Sequence, residues 1–201
     1  MSQATRVHVP FTPANAAILL VDQQPGVLAM VGSLPAETVT RNVGVLSRLG
    51  EDLNIPLVVT STRETLEFLG TNLPSIQKGS PKAYAARIRR GGTLNAFHDA
   101  AFVDAVKKTQ RRNLVIAGLL TDVCLLHSVI SALQAGYQVQ VVVDASGTST
   151  TLGDSVTYDR LHDLGAVLNT TYGILFELFP DLSTPEGQRA EGVAADSVRP
   201  Q

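Results

Sequence analysis

Five runs of apolar, largely β-branched residues recur along the chain and alternate with amphipathic segments. The runs are apolar at consecutive positions rather than at every second position, which is typical of strands buried on both faces of a parallel sheet. The predicted strands cover residues 16–22 (AAILLVD), 56–62 (PLVVTST), 113–120 (NLVIAGLL), 138–146 (QVQVVVDAS) and 166–172 (AVLNTTY).

Four amphipathic segments between these runs have the spacing of helices with one apolar face. Gly136 and Gly165 end two of them, as glycine often does at the C-terminus of a helix. The regular alternation of strand and helix predicts an α/β fold, with helices on both faces of a parallel sheet. The predicted helices cover residues 35–53, 99–110, 121–136 and 151–165.

Two segments depart from this alternation. Residues 63–97 are polar, contain Gly and Pro, and hold one short possible strand at 83–89 (AYAARIR), so we expect a functional loop there. The segment after Phe179 is polar and is expected to be disordered or ordered against another subunit. We expect a single domain over residues 1–201, with a core at 16–178, an N-terminal arm at 1–15 and a C-terminal tail at 179–201.

Composition narrows the class of protein. The chain has 201 residues, 44% of them hydrophobic and 17% charged, which suits a soluble α/β enzyme with one large core. A formal net charge of -2 gives no electrostatic reason to expect nucleic acid or an anionic membrane as a partner. No apolar run is long enough to span a bilayer and the N-terminal residues lack the apolar segment of a signal peptide, so we expect a cytoplasmic protein.

Polar residues that end the strands are the first candidates for chemistry, because parallel α/β sheets bind ligands at that edge. Cys124 is the lone cysteine, and it falls in the first turn of a helix if Thr121 or Asp122 caps that helix. There the helix dipole would lower the pKa of the thiol, which suits a nucleophile. A small buried thiol with no reactivity is an equally open interpretation.

Asp22 follows the apolar residues ILLV at the end of the first predicted strand. It is either a cap or turn residue, or a general base whose pKa burial raises and a nearby arginine lowers. His127 lies three residues after Cys124, but its apolar surroundings favour a structural, hydrogen-bonded histidine over a catalytic one. His98 and Asp99 are expected to begin a helix, and Asp144 to stabilise a turn.

Three motifs carry a family resemblance. The stretches ILLVDQQPGVL, RRGGTLNAF and AGLLTDVCLLHSVISALQAGYQVQVVVDASGT resemble, in order and spacing, the isochorismatase-like cysteine hydrolases, and most of all their YcaC-like subgroup. The resemblance covers about residues 16–178, and the block around Cys124 is its specific part. It implies a three-layer α/β/α sandwich with a central, mostly parallel six-stranded sheet, similar to a Rossmann fold.

The resemblance also implies a catalytic triad that hydrolyses a C–N bond of a small amide through a thioester. Carried over, Asp22 is the acid/base, Cys124 the nucleophile, and Arg90 stands where many members have lysine. Arginine stays charged, so it can stabilise a thiolate or an oxyanion but cannot shuttle a proton. A cis peptide bond is implied at Leu119-Leu120, with the N–H groups of Leu120 and Cys124 forming an oxyanion hole.

Further expectations concern the substrate-binding residues, the absence of a metal and a cofactor, and the oligomeric state. Candidate substrate-binding residues are Glu64, Asn95, Phe97 and Thr121, with Tyr84 as a further possible lining residue. Because the Asp-x-His pair of nicotinamidase-like relatives has no counterpart here, we expect no metal, and we expect no cofactor. Relatives imply a homo-oligomer, a tetramer or an octamer, that acts on a small-molecule substrate.

Two other functions stay open. The chain could be a catalytically reduced binding or redox-responsive module that keeps the fold and the thiol. Hydrolysis of the isochorismate vinyl ether is less favoured, because family members with that activity generally lack the cysteine.

Overall fold

The computed structural model describes residues 10–198 and contains one six-stranded parallel sheet. The strand order is β3-β2-β1-β4-β5-β6, so the first strand lies near the centre and the chain winds outward from it in both directions. The strands are β1 Ala16–Val21, β2 Leu57–Thr62, β3 Ile88–Arg90, β4 Asn113–Gly118, β5 Gln138–Val142 and β6 Val167–Asn169.

Helices cover both faces of this sheet. They are α1 Pro25–Leu28, α2 Ala36–Asp52, α3 Pro74–Gly79, α4 Pro81–Ala85, α5 Ala100–Lys108, α6 Leu126–Gln134, α7 Thr151–Asp163, α8 Thr171–Leu178 and α9 Pro185–Val198. Short 3-10 turns occupy Ala96–His98 and Val143–Ala145, and a π-helical turn occupies Thr121–Leu125.

The side chains of β1 explain the three layers. Every residue of this strand is buried, and successive side chains point to opposite faces of the sheet. Ile18 and Leu20 join the core formed with α2, α8 and α9, whereas Leu19 and Val21 join the core formed with α5 and α6. The predicted three-layer α/β/α architecture with six strands is confirmed.

Most predicted elements are present with shorter ends. The run at 138–146 stops as a strand at Val142 because the 3-10 turn follows, and the run at 166–172 keeps three strand residues. The latter is cut short because the Thr170 side chain accepts a hydrogen bond from the Gly173 N–H and so caps α8. Gly136 and Gly165 follow α6 and α7 with φ of 84° and 106°, as expected at helix ends.

The prediction for the segment at 63–97 is partly wrong. It contains two short helices, α3 and α4, and the short strand begins at Ile88 rather than at residue 83. Pro74 and Pro81 open the two helices, where a proline has no N–H to leave unpaired. The three residues of β3 pair with β2, placing Arg90 beside Thr62.

The prediction for the tail after Phe179 is also wrong. The helix α9 packs against α2 and α8 of its own chain, with Val193 and Ala194 buried in the core on that side. Arg48 of α2 forms a salt bridge of 3.1 Å with Asp196, and the Tyr172 and Ser197 hydroxyl groups are 2.8 Å apart. Residues 1–9 of the expected N-terminal arm and residues 199–201 of the expected tail lie outside the described residues.

None of the helices within 10–198 combines the length and the apolar character needed to cross a bilayer.

Candidate active site

Asp22 is the first residue after β1, and its side chain is 0% exposed. Its backbone has a φ of 54°, a left-handed conformation that residues other than glycine rarely adopt. The Asp22 N–H donates to the Thr60 carbonyl of β2 (3.1 Å), while its own carbonyl accepts from the Gln24 N–H (2.8 Å). The carboxylate is therefore held in one place at the carboxyl edge of the sheet.

Arg90 ends the edge strand β3 and reaches across β2 to this carboxylate. Its Nη2 contacts both carboxylate oxygens of Asp22, and neither side chain is accessible to solvent. Its Nε donates to the Thr60 hydroxyl (2.9 Å) and its Nη1 to the Thr93 carbonyl. Because these three groups surround it, the guanidinium has a fixed orientation and a fixed counter-ion.

Cys124 completes the group from the π-helical turn that follows β4. Its thiol interacts with the Asp22 carboxylate, which favours the protonated thiol, and with Arg90, which favours the thiolate, and the residue is 5% exposed. The predicted cap is wrong, because Leu120 occupies the N-cap position and no side chain makes a capping bond there. The Asp122 carboxylate instead accepts a hydrogen bond from the Thr148 hydroxyl (2.5 Å).

The expected direction of the thiol pKa is wrong as well. Burial raises the pKa of Cys124 far above its usual range, the neighbouring charge of Asp22 raises it further, and Arg90 only partly opposes both. The resting group is therefore a thiol. Burial also raises the pKa of Asp22 while Arg90 lowers it, which confirms the two opposed effects expected for this carboxylate.

The backbone before Cys124 has the expected unusual geometry. The Leu119-Leu120 peptide bond is cis, as the family resemblance implied. The Leu120 carbonyl accepts hydrogen bonds from the N–H groups of Val123 (3.1 Å) and Leu125 (3.2 Å), rather than from Cys124 as in a regular α-helix. The use of the Leu120 and Cys124 N–H groups as an oxyanion hole stays a prediction.

Comparison with known proteins places this arrangement in a family. The isochorismatase domain matches residues 16–172. The chain belongs to that family. It is 36% identical over 177 residues to the probable hydrolase YcaC of Escherichia coli, a match that covers 88% of this chain and 84% of YcaC.

Solved structures agree with this assignment of the chain to a hydrolase family. The octameric hydrolase YcaC of Escherichia coli, whose specificity is unknown, superposes with a TM-score of 0.85 at 32% identity, covering 97% of this chain and 100% of that one. YcaC from Pseudomonas aeruginosa with hexane-2,5-diol and covalent acrylamide has a TM-score of 0.87 at 31% identity, covering 94% and 93%.

The four candidate substrate-binding residues make mainly structural contacts. Glu64 accepts hydrogen bonds from the Ser61 hydroxyl (2.6 Å) and from Arg87 Nε (2.7 Å). Asn95 donates to the Ser131 hydroxyl (2.8 Å). The Phe97 ring packs edge-on against Phe102 with centroids 5.4 Å apart, and Thr121 is fully buried. Their contact with a substrate stays a prediction.

Glu64 is held by two arginines. Burial raises the pKa of its carboxyl group, but the hydrogen bonds from Arg87 and Ser61 and the charges of Arg87 and Arg89 outweigh burial and lower that pKa. The Arg87 guanidinium also lies 4.4 Å from the centroid of the Tyr84 ring, and the Tyr84 hydroxyl donates to the Thr71 hydroxyl (3.0 Å).

Among the residues assigned structural roles, Asp99 acts as expected, whereas Asp144 and His127 do not. Asp99 caps α5 by accepting from the Phe102 N–H (3.1 Å). Asp144 lies in the turn after β5, but its carboxylate accepts from both the N–H (2.8 Å) and the hydroxyl (2.7 Å) of Thr171, so it binds the start of α8 rather than the turn. The His127 side chain is exposed and makes no hydrogen bond with the described residues, so the prediction of a hydrogen-bonded histidine is wrong. Within residues 10–198 no group of three or more His, Cys, Asp or Glu side chains is placed to hold a metal ion.

Two buried polar residues that hold the site together carry little signal in the sequence. The Thr60 hydroxyl accepts from Arg90 and donates to the Ile88 carbonyl (2.8 Å), so it joins both ends of β3. The Gln24 side-chain amide accepts a hydrogen bond from the Thr62 N–H (2.7 Å) and donates one to the Gly70 carbonyl (2.7 Å). Thr60 is the first polar residue after the apolar run at 57–59, and Gln24 lies two residues after Asp22, which are the signals that could have pointed to them.

Proposed function

We propose that this chain is a cysteine hydrolase that cleaves a C–N bond in a small amide, with Cys124 as nucleophile and Asp22 as general base. The observation that carries the proposal is the contact of one buried carboxylate, Asp22, with both the Cys124 thiol and the Arg90 guanidinium. A nucleophile, a base within hydrogen-bond reach and a fixed cation are the parts that such a reaction needs.

The proposed first half-reaction forms a thioester. Asp22 takes the proton of the Cys124 thiol as the sulfur attacks the substrate carbonyl carbon, and the electrons of the C=O bond move to its oxygen. When they return, the C–N bond breaks and the nitrogen takes the proton from Asp22. The amine or ammonia leaves, and the acyl group stays on sulfur.

The second half-reaction restores the enzyme. Asp22 takes a proton from water as the water oxygen attacks the thioester carbonyl, the C–S bond breaks, and the thiolate receives the proton from Asp22. The net change is amide plus water to carboxylic acid plus amine or ammonia. Atoms and charges balance with no further reactant, so the chemistry needs no cofactor.

The raised pKa of the thiol fits this sequence of steps. A resting thiol keeps its proton until a carbonyl is in place, so ionisation and attack occur together. Arg90 keeps its charge throughout and offsets the negative charge that develops on sulfur or oxygen. The N–H groups of Leu120 and Cys124 would bind the oxyanion, and loss of one such donor costs about 2.7 to 4 kcal/mol of barrier.

The relatives support parts of this proposal. The YcaC of Pseudomonas aeruginosa carries covalent acrylamide, a reagent to which thiolates add, which supports a reactive cysteine at the matching place in this chain. The YcaC of Escherichia coli is an octamer, so we propose that this chain also forms a homo-oligomer, a tetramer or an octamer. We further propose that it works in the cytoplasm and as one domain.

The alternative of a redox-responsive module has weaker support. Thiols that react readily with peroxide are accessible and have a lowered pKa. Cys124 is 5% exposed, and its pKa is raised. A substrate that brings its own electrophilic carbon into contact with sulfur suits this environment better than a diffusing oxidant does.

The test is a hydrolysis screen with intact-mass detection of the acyl-enzyme. Small amides, with esters and vinyl ethers in the same panel, are incubated with the native protein, Cys124→Ala and Asp122→Asn. We expect release of ammonia or amine by the native protein and by Asp122→Asn, and none by Cys124→Ala. Full turnover by Cys124→Ala, or turnover by the native protein of the vinyl ethers alone, would contradict the proposal.

A further inference from the structure

Arg63 is a second residue with strained backbone at the edge where Asp22 lies. Asp22 follows β1 with a φ of 54°, and Arg63 follows the neighbouring strand β2 with a φ of 45°. Asn54 and Gln110 also have positive φ, but they precede strands and so lie at the opposite edge. A left-handed conformation is unfavourable for a residue other than glycine, and such residues concentrate at functional sites.

The surrounding chain holds Arg63 in this conformation. Its N–H donates to the Arg90 carbonyl (2.9 Å), and its own carbonyl accepts from the Leu66 N–H (2.9 Å). Its side chain passes over Gly92, where an added Cβ would lie 3.3 Å from Arg63 Cδ and 3.4 Å from Cγ. Gly92, with a φ of 133°, therefore leaves room for the Arg63 side chain beside the segment that carries Arg90.

The charge of Arg63 is available, unlike the charges of the arginines around it. Arg90 is neutralised by Asp22, and Glu64 binds both Arg87 (2.7 Å) and Arg89 (3.4 Å). Arg63 is exposed and forms no salt bridge with any acidic residue within 10–198. Its charge nevertheless reaches the site, since it lowers the pKa of Asp22.

We infer that Arg63 binds a carboxylate group of the substrate, so that the preferred substrates are small amides with a negative charge close to the scissile carbonyl. A guanidinium offers paired N–H donors that match a carboxylate, and a solvent-accessible cation beside a buried reaction centre attracts such a group. This inference rests on the proposed function and makes Arg63 a residue that determines specificity.

The test compares two reagents that differ in charge. Iodoacetate carries a carboxylate and iodoacetamide does not, and Cys124 is the lone thiol in the chain, so intact mass reports its reaction alone. The ratio of the two rate constants, divided by the same ratio for free cysteine, measures the preference for an anion. The variants are Arg63→Gln, Arg63→Gly and Arg63→Lys, with Arg89→Gln as the matched control that removes a charge already bound by Glu64.

We expect the normalised ratio to fall about fivefold in Arg63→Gln and Arg63→Gly, and to change less than about twofold in Arg89→Gln. Arg63→Gly tolerates the positive φ, so it keeps the test valid if Arg63→Gln folds poorly. Arg63→Lys should keep most of the preference, and high salt should reduce it in the native protein.

The outcomes separate this inference from the proposed function. Equal ratios in the native protein and all variants would overturn the inference and leave the reactive cysteine standing. Modification of Cys124 by neither reagent in the native protein would overturn the proposed function together with the inference.

Discussion

Replacing Asp22 by asparagine should change stability and thiol reactivity in opposite directions. The Asp22→Asn side chain keeps the shape of the native one and loses its charge. Arg90 then remains buried without its counter-ion, while Cys124 loses the negative charge that holds its proton. The protein should therefore become less stable and its thiol should ionise more readily.

The loss of stability follows from the contacts of Arg90. Removing one partner of a buried ion pair costs about 3 to 5 kcal/mol. Arg90 keeps its bonds to the Thr60 hydroxyl and the Thr93 carbonyl, and the asparagine oxygen still accepts one hydrogen bond. We therefore expect the lower end, about 3 kcal/mol, which lowers the melting temperature of a chain this long by about 6 to 12 °C.

The change in reactivity has a definite sign. Asp22 raises the pKa of the Cys124 thiol through its charge and its hydrogen bond, whereas Arg90 lowers it. In Asp22→Asn the opposing charge is gone and Arg90 remains, so the thiol pKa falls and iodoacetamide reacts faster at a fixed pH. Turnover of an amide should fall by about 10²-fold or more, because the proposed general base is lost.

The assay is the rate of iodoacetamide addition between about pH 6 and pH 10, followed by intact mass, together with thermal unfolding. Asp122→Asn is the matched control, since this carboxylate lies two residues from Cys124 and binds the Thr148 hydroxyl instead of the thiol. If Asp22→Asn melts with the native protein, or if its thiol reacts no faster than the native thiol at any pH, the electrostatic account of the site is refuted.

Three further predictions concern the surroundings of the site. Thr60→Val leaves the buried Arg90 Nε without its acceptor and should cost about 1 to 3 kcal/mol of unfolding free energy, while Thr60→Ser should be near native in chemical denaturation. Val193→Asp places a charge on the buried face of α9 and should detach this helix from the core, so trypsin should cleave faster after Arg189. The exposed change Glu191→Asp is the control and should leave cleavage unaltered. Equal cleavage of both variants would contradict the packing of α9. The lowered pKa of Glu64 means that its ion pair with Arg87 stabilises the fold above the ordinary glutamate pKa of 4.5, so the destabilisation of Glu64→Gln measured at pH 7 should shrink as the pH falls below that value.

The central sheet could be predicted because short apolar runs rich in β-branched residues, alternating with amphipathic segments, favour strands buried on both faces. The meeting of Asp22 and Cys124 was also predictable, since both follow the carboxyl ends of parallel strands, β1 and β4, and these strands are neighbours in the sheet. The position of Arg90 in the site could be predicted only from the family resemblance. The strand β3 has three residues, and its pairing with β2, rather than a sequence pattern, determines where β3 starts.

Other features depended on tertiary contacts. The small Ala and Val side chains of α9 give a weak apolar pattern, and the helix is recognisable through its packing on α2. The sign of the thiol pKa was wrong for a similar reason. A position near a helix N-terminus lowers a thiol pKa, but burial beside Asp22 outweighs that effect, and the extent of burial is a property of the folded chain.

The hydrogen bond from the Arg63 N–H to the Arg90 carbonyl and the ion pair from Arg90 to Asp22 hold the first residue of the β2–β3 connection and the last residue of β3 at one edge of the sheet. Reaction chemistry and substrate choice can therefore diverge separately in evolution and in the laboratory. Residues 65–68 are exposed and lie between these anchors. A randomised library at those four positions would vary this exposed segment and leave Asp22, Arg90 and Cys124, the proposed catalytic groups, unchanged.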